Sequence, residues 1–378
     1  MKTNQKIWLS PPHLGGAELK YIHSAFDNNF IAPFGPNVNL FEAKLEGFLQ
    51  ENIHVTAVST GTAALHLALE IIGIKTDDEV ICQTMTFSAS VFPIAYLGAK
   101  PVFVDSECDT WNMSPELLEI AIKERIFLGK KPKAIIIVHI YGMPAKMDEI
   151  SHIANKYEIP LIEDAAESLG SSYKNRKCGT FGTIGILSFN GNKIITTSGG
   201  GALVCSTEEQ KMRALFLAAQ ARDPTPHYQH SEIGYNYRLS NISASIGCGQ
   251  MEVLDERISQ RRKNHQFYVD LFAEKPGVKV FSESSEDYFS NHWLSAITID
   301  ENITGFSRED LRLKFLEYNI ESRPLWKPMH LQPVFKDAPF YGEDIAENLF
   351  RDGLCLPSGS NLSDDDRNRI ENVVNSLF

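Results

Sequence analysis

The sequence predicts an α/β protein: a large unit on a mainly parallel sheet covered on both faces, then a smaller α+β unit. Three observations carry this. Apolar runs at 56–59, 79–82, 101–104, 134–140, 160–162, 184–189 and 202–205 are continuous rather than alternating, as in strands buried on both sides. Segments of helical period separate them, which is strand–helix alternation and not a chain of hairpins. Finally, 378 residues exceed one comfortable hydrophobic core, so two domains are expected, at 1–256 and 257–378.

Taken in order, the chain opens with two helical stretches at 17–28 and 38–49. Ile31-Ala32-Pro33-Phe34-Gly35-Pro36 between them reads as a turn. The helix at 62–74 carries Ala63, Leu65, Leu67, Leu69, Ile71 and Ile72 nearly all round its surface, so it should be buried. A strand, then Ser59-Thr60-Gly61-Thr62, then this helix places backbone N–H groups at a helix N-terminus, a geometry that binds anions. From Glu256-Arg257 to Arg261-Arg262-Lys263 the charge density predicts an exposed helix leading into the second unit. There, 293–299 reads as strand and 308–318 as helix.

Composition narrows the function. Hydrophobic residues make up 43 % and charged residues 22 %, which excludes a disordered or fibrous chain. A net charge of −12 opposes nucleic acid and anionic membrane surfaces, so an anionic small substrate would need a local basic pocket. The six cysteines form no C-x-x-C pair, and His227 and His230 sit in a Pro-rich stretch without a carboxylate cluster, so no metal site is expected. Cys82, Cys205 and Cys248 lie among apolar or small neighbours, which points to buried thiols and a reducing, cytoplasmic compartment. Residues 1–10 lack the apolar core of a signal peptide, and no run of about 18 apolar residues predicts a membrane span.

Four segments carry candidate chemistry. In Gly185-Ile-Leu-Ser188-Phe189-Asn190-Gly-Asn192-Lys193, followed by Ser198-Gly199-Gly200-Gly201, one lysine stands between a buried strand and a triple glycine. A buried lysine is costly unless paired or neutralised. In Leu161-Ile162-Glu163-Asp164-Ala165-Ala166-Glu167, a strand ends in carboxylates, where open α/β sheets bind ligands. The third segment is the phosphate-type turn at Ser59–Thr62. The fourth, Gly234-Tyr235-Asn236-Tyr237-Arg238, is an aromatic and polar loop. Each alone has an ordinary structural reading: a loop lysine, a helix N-cap, a plain helix start and a packed loop with Arg238 in an ion pair.

In combination, S-T-G-T-A-A-L, E-D-A-A-E, S-F-x-x-x-K and G-x-N-Y-R are highly specific. Over almost its whole length the chain resembles the sugar aminotransferases of the DegT/StrS type, within the fold-type I enzymes that use pyridoxal 5'-phosphate. The resemblance implies that Lys193 is the Schiff-base lysine and proton shuttle, and that Asp164 pairs with the pyridine nitrogen. It implies that Gly61, Thr62 and Ser188 cradle the phosphate, that Phe87 stacks on the ring with Ala166 behind it, and that Glu167 lies near the phenolic oxygen. Asn236 would reach the phosphate of a neighbouring subunit, so a homodimer with shared sites is implied. The chain departs from the pattern twice. Relatives often carry Gln at the position of Glu167, and two anions there would repel, so Glu167 is expected protonated or turned aside. Ser198-Gly199-Gly200-Gly201 stands where many relatives have G-E-G-G.

Trp8-Leu9-Ser10-Pro11-Pro12-His13, Phe30 to Pro36, Ser188 to Lys193 and Pro328-Met329-His330-Leu331-Gln332-Pro333 resemble the bacillosamine-pathway branch. That branch implies transfer from L-glutamate to C4 of a UDP-linked 4-keto-6-deoxy-N-acetylglucosamine. Arg238, Arg323, Trp326 and His330 are the candidate substrate contacts, since arginine's planar fork suits a diphosphate. The alternatives are a perosamine-type enzyme acting on GDP-4-keto-6-deoxymannose and a non-catalytic regulator that binds the cofactor or a sugar nucleotide. A deoxygenating relative, in which histidine replaces the lysine, conflicts with Lys193.

Overall fold

The computed structural model describes residues 5–378; the first four residues of the expected N-terminal unit lie outside the described residues. The strands are, in chain order, β1 His54–Val58, β2 Glu79–Gln83, β3 Lys100–Val104, β4 Ala134–Val138, β5 Leu161–Asp164, β6 Ser172–Tyr173, β7 Arg176–Lys177 and β8 Ile184–Ser188. They continue with β9 Gly201–Cys205, β10 Val278–Val280, β11 Tyr288–Phe289, β12 Ser295–Ile299, β13 Arg323–Pro324, β14 Phe340–Tyr341 and β15 Gly353–Leu356. The large sheet has the order β1-β9-β8-β5-β4-β2-β3-β14. Pairings from β8 through to β14 are parallel, and only β1–β9 and β9–β8 are antiparallel. A smaller sheet, β10-β12-β15-β13, is antiparallel throughout.

The continuous apolar runs have the predicted cause. In β2, Val80 and Cys82 enter one core while Ile81 enters the other. In β4, Ile136 faces the first core and Ile135 and Ile137 the second. Each strand thus buries side chains on both faces. The helix α1 Glu18–Asp27 and the helix α2 Pro36–Leu49 lie close to their predicted positions. The predicted turn hands its last residue to α2, where Pro36 has a fixed φ that suits a first helical turn. The helix α3 Gly61–Ile72 is buried along 63–69, capped by Thr60 at its start and by left-handed Gly73 at its end.

Two expectations are corrected. The run at 134–140 is strand only to Val138, because Tyr141 takes a left-handed backbone (φ 55°) and turns the chain at Ile140–Gly142. The helix Leu254–Phe272 is not an exposed charged helix. Arg257, Arg261, Asn264 and His265 are buried. Arg257, Arg261, Asn264 and Tyr268, spaced on one face, donate to main-chain carbonyls of Leu14, Trp293, Ser358, Gly359 and Pro357. All six cysteines are unpaired, and Cys82, Cys205 and Cys248 are buried as expected. Among the described residues no helix is long and apolar enough to cross a membrane.

Gly185 lets two segments of backbone approach closely at the large sheet: a Cβ there would overlap the carbonyl of Gly179. Gly185→Ala is therefore expected to lower unfolding free energy by about 2–3 kcal/mol, read from the urea midpoint. Gly47→Ala, in open space within α2, should raise it by up to about 1 kcal/mol. Equal effects would contradict this packing.

Candidate active site

A cavity of about 280 Å³ lies at the carboxyl ends of the parallel strands, where ligands bind in open α/β sheets. Asp164 at the end of β5 and Ser188 at the end of β8 form its floor, and Gly61 and Thr62 its side. The loop from Asn190 to Lys193 closes a second side, and Trp293 and Trp326 reach in from the C-terminal part of the chain.

One end suits an anion. The N-cap Thr60 accepts from Ala63 N–H through Oγ1 (2.9 Å) and from Ala64 N–H through its carbonyl (3.1 Å). Among the described residues the N–H groups of Gly61 and Thr62 then have no protein acceptor, the expected orphans of a helix start. A Cβ on Gly201 would overlap Gly61 and Thr60, so backbone can crowd this corner only because glycine is there.

The opposite wall suits a cation. Asp164 is 6 % exposed. Its Oδ2 accepts from Ser90 Oγ (2.7 Å), which is itself bonded to Thr86 Oγ1 (2.6 Å), and its Oδ1 accepts from Ala166 N–H (3.1 Å). Dipoles orient this carboxylate, and among the described residues no cationic side chain pairs with it, so a ligand cation would be strongly favoured here.

Lys193 Nζ lies 3.5 Å from Glu167 Oε1 and 4.0 Å above the Trp293 ring. Glu167 is 5 % exposed and accepts from Tyr141 N–H (2.7 Å). It is not turned away from the cavity. Burial pushes its carboxyl above the usual range, against the opposing pull of Lys193 and the Tyr141 N–H, and the nearby Asp164 charge adds to the rise. The left-handed backbone of Tyr141 aims that N–H, and the Tyr141 hydroxyl accepts from Trp326 N–H (2.8 Å).

Of the remaining predicted residues, Ala166, Phe87 and Trp326 line the cavity, and Phe87 keeps 56 % of its surface exposed beside it. The indole N–H of Trp326 is buried near Glu167 without closing a hydrogen bond. Arg238 lies outside, 3.6 Å from Glu42. Arg323 is exposed and pairs with Glu321 at 2.8 Å. His330 is held between Thr84 Oγ1 (2.6 Å) and Glu347 (3.1 Å) and stacks on Phe340. Asn236 is exposed, bridged to Ala219, and outside this chain's own cavity. Thr60, Ser90, Asn190, Asn192 and Trp293 line the cavity but were not singled out from sequence. For Ser90, the paired hydroxyls at 86 and 90 offered a signal; for Trp293 there was none.

His139, Glu163 and Cys178 lie close enough together to suggest a metal site beneath the cavity. The carboxylate oxygens of Glu163 and both ring nitrogens of His139 are already engaged. Glu163 accepts from His139 Nε2 (2.8 Å) and from the N–H groups of Gly179, Phe181 and Gly182, and His139 Nδ1 accepts from Ala145 N–H (3.0 Å). The cluster anchors the turn at 179–182.

The orphan N–H pair, the unneutralised carboxylate, the buried amine and the unpartnered indole N–H together fit pyridoxal 5'-phosphate: phosphate at α3, pyridinium at Asp164, aldehyde at Lys193. The comparisons agree. A family model, the DegT/DnrJ/EryC1/StrS aminotransferase family, matches residues 12–377. The putative pyridoxal phosphate-dependent aminotransferase EpsN of Bacillus subtilis (strain 168) is 51 % identical over 382 residues, covering 99 % of this chain and 96 % of the relative. GDP-perosamine synthase of Escherichia coli O157:H7 is 39 % identical, covering 97 % of each. A solved DegT DnrJ EryC1 StrS aminotransferase from Brucella abortus superposes with a TM-score of 0.88 at 31 % identity, covering 96 % of this chain and 95 % of that one.

Glu167 generates a pH prediction. A carboxyl raised on folding binds protons more tightly in the folded state, so its contribution to stability falls as pH rises above the unfolded value of 4.5. In cofactor-free protein, the thermal midpoint of Glu167→Gln minus that of wild type should therefore grow as pH rises from 4.5. A difference independent of pH in calorimetry would contradict a raised Glu167.

Proposed function

The chain belongs to the DegT/DnrJ/EryC1/StrS aminotransferase family and is a pyridoxal-phosphate-dependent sugar aminotransferase, and from that premise we propose that it transfers the amino group of L-glutamate to C4 of a UDP-linked 4-keto-6-deoxy-N-acetyl hexosamine. The observation that carries the site assignment is the meeting of Lys193 and Asp164 in one cavity with the free N–H groups of α3. Bound pyridoxal phosphate supplies an aldehyde that captures amines and a ring that withdraws electrons from the adjoining carbon. The rest is done by side chains. Lys193 Nζ would hold the cofactor at rest and, once free, would serve as the base that takes a proton from the donor carbon and, in the second half of the cycle, as the acid that gives one to the acceptor carbon. Asp164 keeps the ring nitrogen protonated, oriented by Ser90 and the Ala166 N–H. Gly61, Thr62 and Ser188 hold the phosphate. Phe87, Trp293 and Trp326 exclude water from the reacting carbon.

The assignment to a UDP sugar is supported by the motif segments that suggested it. Ser10 hydrogen-bonds the carbonyl of Asn192 (2.6 Å), and Asn190 and Asn192 both line the cavity. The perosamine-type reading, with a GDP sugar, is favoured by one observation, the 39 % identity to a GDP-perosamine synthase. We further propose a homodimer. Leu14, Leu19, Phe26, Ile31 and Phe34 expose apolar surface along the N-terminal segment, and Asn236 has no place in its own chain's cavity.

Incubation with L-glutamate and either UDP-4-keto-6-deoxy-N-acetylglucosamine or GDP-4-keto-6-deoxymannose, with products identified by mass spectrometry, separates the readings. The UDP sugar is expected to gain the amine; exclusive amination of the GDP sugar would reverse the choice. Lys193→Ala should lose the visible absorbance of lysine-bound cofactor and at least about 10³-fold in turnover. Asp164→Asn should still bind cofactor but turn over at least about 10²-fold more slowly. Wild-type rates in either variant would remove that residue from its role.

A further inference from the structure

We propose that Arg261 is the positioning residue of the cofactor lysine: its guanidinium anchors both donors that hold the carbonyl of Asn192, and thereby fixes Lys193 in the cavity. The inference rests on the reading of Lys193 given above. Arg261 is 1 % exposed and has no carboxylate partner among the described residues. Burial, with Arg257 nearby, lowers its pKa to about 9, so it remains a cation at neutral pH. An unpaired interior charge weakens a fold unless directed hydrogen bonds compensate. Here they are directed at the lysine loop. Nη1 donates to the carbonyls of Trp293 (2.5 Å) and Ser358 (3.2 Å), and Nη2 donates to Ser10 Oγ (3.0 Å). Ser10 Oγ donates onward to the Asn192 carbonyl (2.6 Å), and Trp293 Nε1 donates to the same oxygen (2.7 Å).

One planar fork therefore secures both hydrogen-bond donors on the carbonyl immediately before Lys193. It also secures the backbone of the tryptophan whose ring lies 4.0 Å from Lys193 Nζ. The planar fork meets Trp293 and Ser10 from two separate nitrogens; an ammonium has its three donors on one nitrogen and lacks that fixed, spaced geometry. This gives Ser10 a purpose although it does not line the cavity, and explains why a helix of charged composition turns Arg261 inward.

The test uses the full-length protein and pyridoxal phosphate. Wild type, Arg261→Lys and Ser10→Ala are stripped of cofactor, reloaded, trapped with borohydride and mapped by peptide mass spectrometry. The label is expected on Lys193 in all three. Loading should slow about tenfold in Arg261→Lys and about threefold in Ser10→Ala, with circular dichroism unchanged. In turnover, kcat should fall in the same order while the KM for the keto sugar stays within about twofold. Loading at the wild-type rate in the folded variants overturns the proposal; if Arg261→Lys does not fold, Ser10→Ala alone decides. A wild-type label on another lysine defeats the reading of Lys193, and the inference with it, and is distinct from unchanged rates on Lys193.

Discussion

A buried carboxylate oriented by hydrogen bonds but paired with no cation among the described residues creates a demand that the rest of this structure is arranged to meet. Asp164 stands at the end of a central parallel strand, its oxygens fixed by Ser90 and the Ala166 N–H. A few residues on, Glu167 adds a second carboxyl, with the Lys193 amine beside it. Excluding water strengthens each of these interactions, since the local dielectric is low. The parallel sheet brings the strand ends together, and the antiparallel entry of β9 returns the triple glycine beside α3. The helix supplies positive dipole and free N–H groups where an anion must sit.

The C-terminal part of the chain completes this arrangement. Trp293 begins next to β12, and Trp326 follows β13, yet both side chains reach the cavity. Tyr141 links the two regions, with its N–H on Glu167 and its hydroxyl receiving Trp326 N–H. A shift of the small sheet against the large one would therefore change the aromatic walls around the amine. The N-terminal segment is tied into the same junction, since Ile7 bridges Ile320 and Ser10 meets Asn192.

The parts of this structure governed by local rules were legible in the sequence. The seven main strands fall within a few residues of the apolar runs, because strands buried on both faces need uninterrupted apolar side chains. The start of α3 was legible because Thr60 is a capping residue followed by a buried apolar helix. The inward turn of Arg257 and Arg261 was hidden by composition: charge suggested solvent, while the spacing shared with Asn264 and Tyr268 marks one face and could have shown it. The strand end at Val138 was hidden because the apolar run continues to Ile140, and the turn's signal, Gly142, comes only after the left-handed Tyr141. Trp293 was invisible to any local argument, since only tertiary packing places it over Lys193.

The most direct test of the account is a crystal structure of the protein grown with pyridoxal phosphate. Density should run unbroken from Lys193 Nζ into the ligand, with the ring nitrogen within hydrogen-bonding distance of Asp164 and the phosphate on the N–H groups of Gly61 and Thr62. A ligand bound elsewhere, with Lys193 unmodified and Asp164 still without a cation, would contradict it.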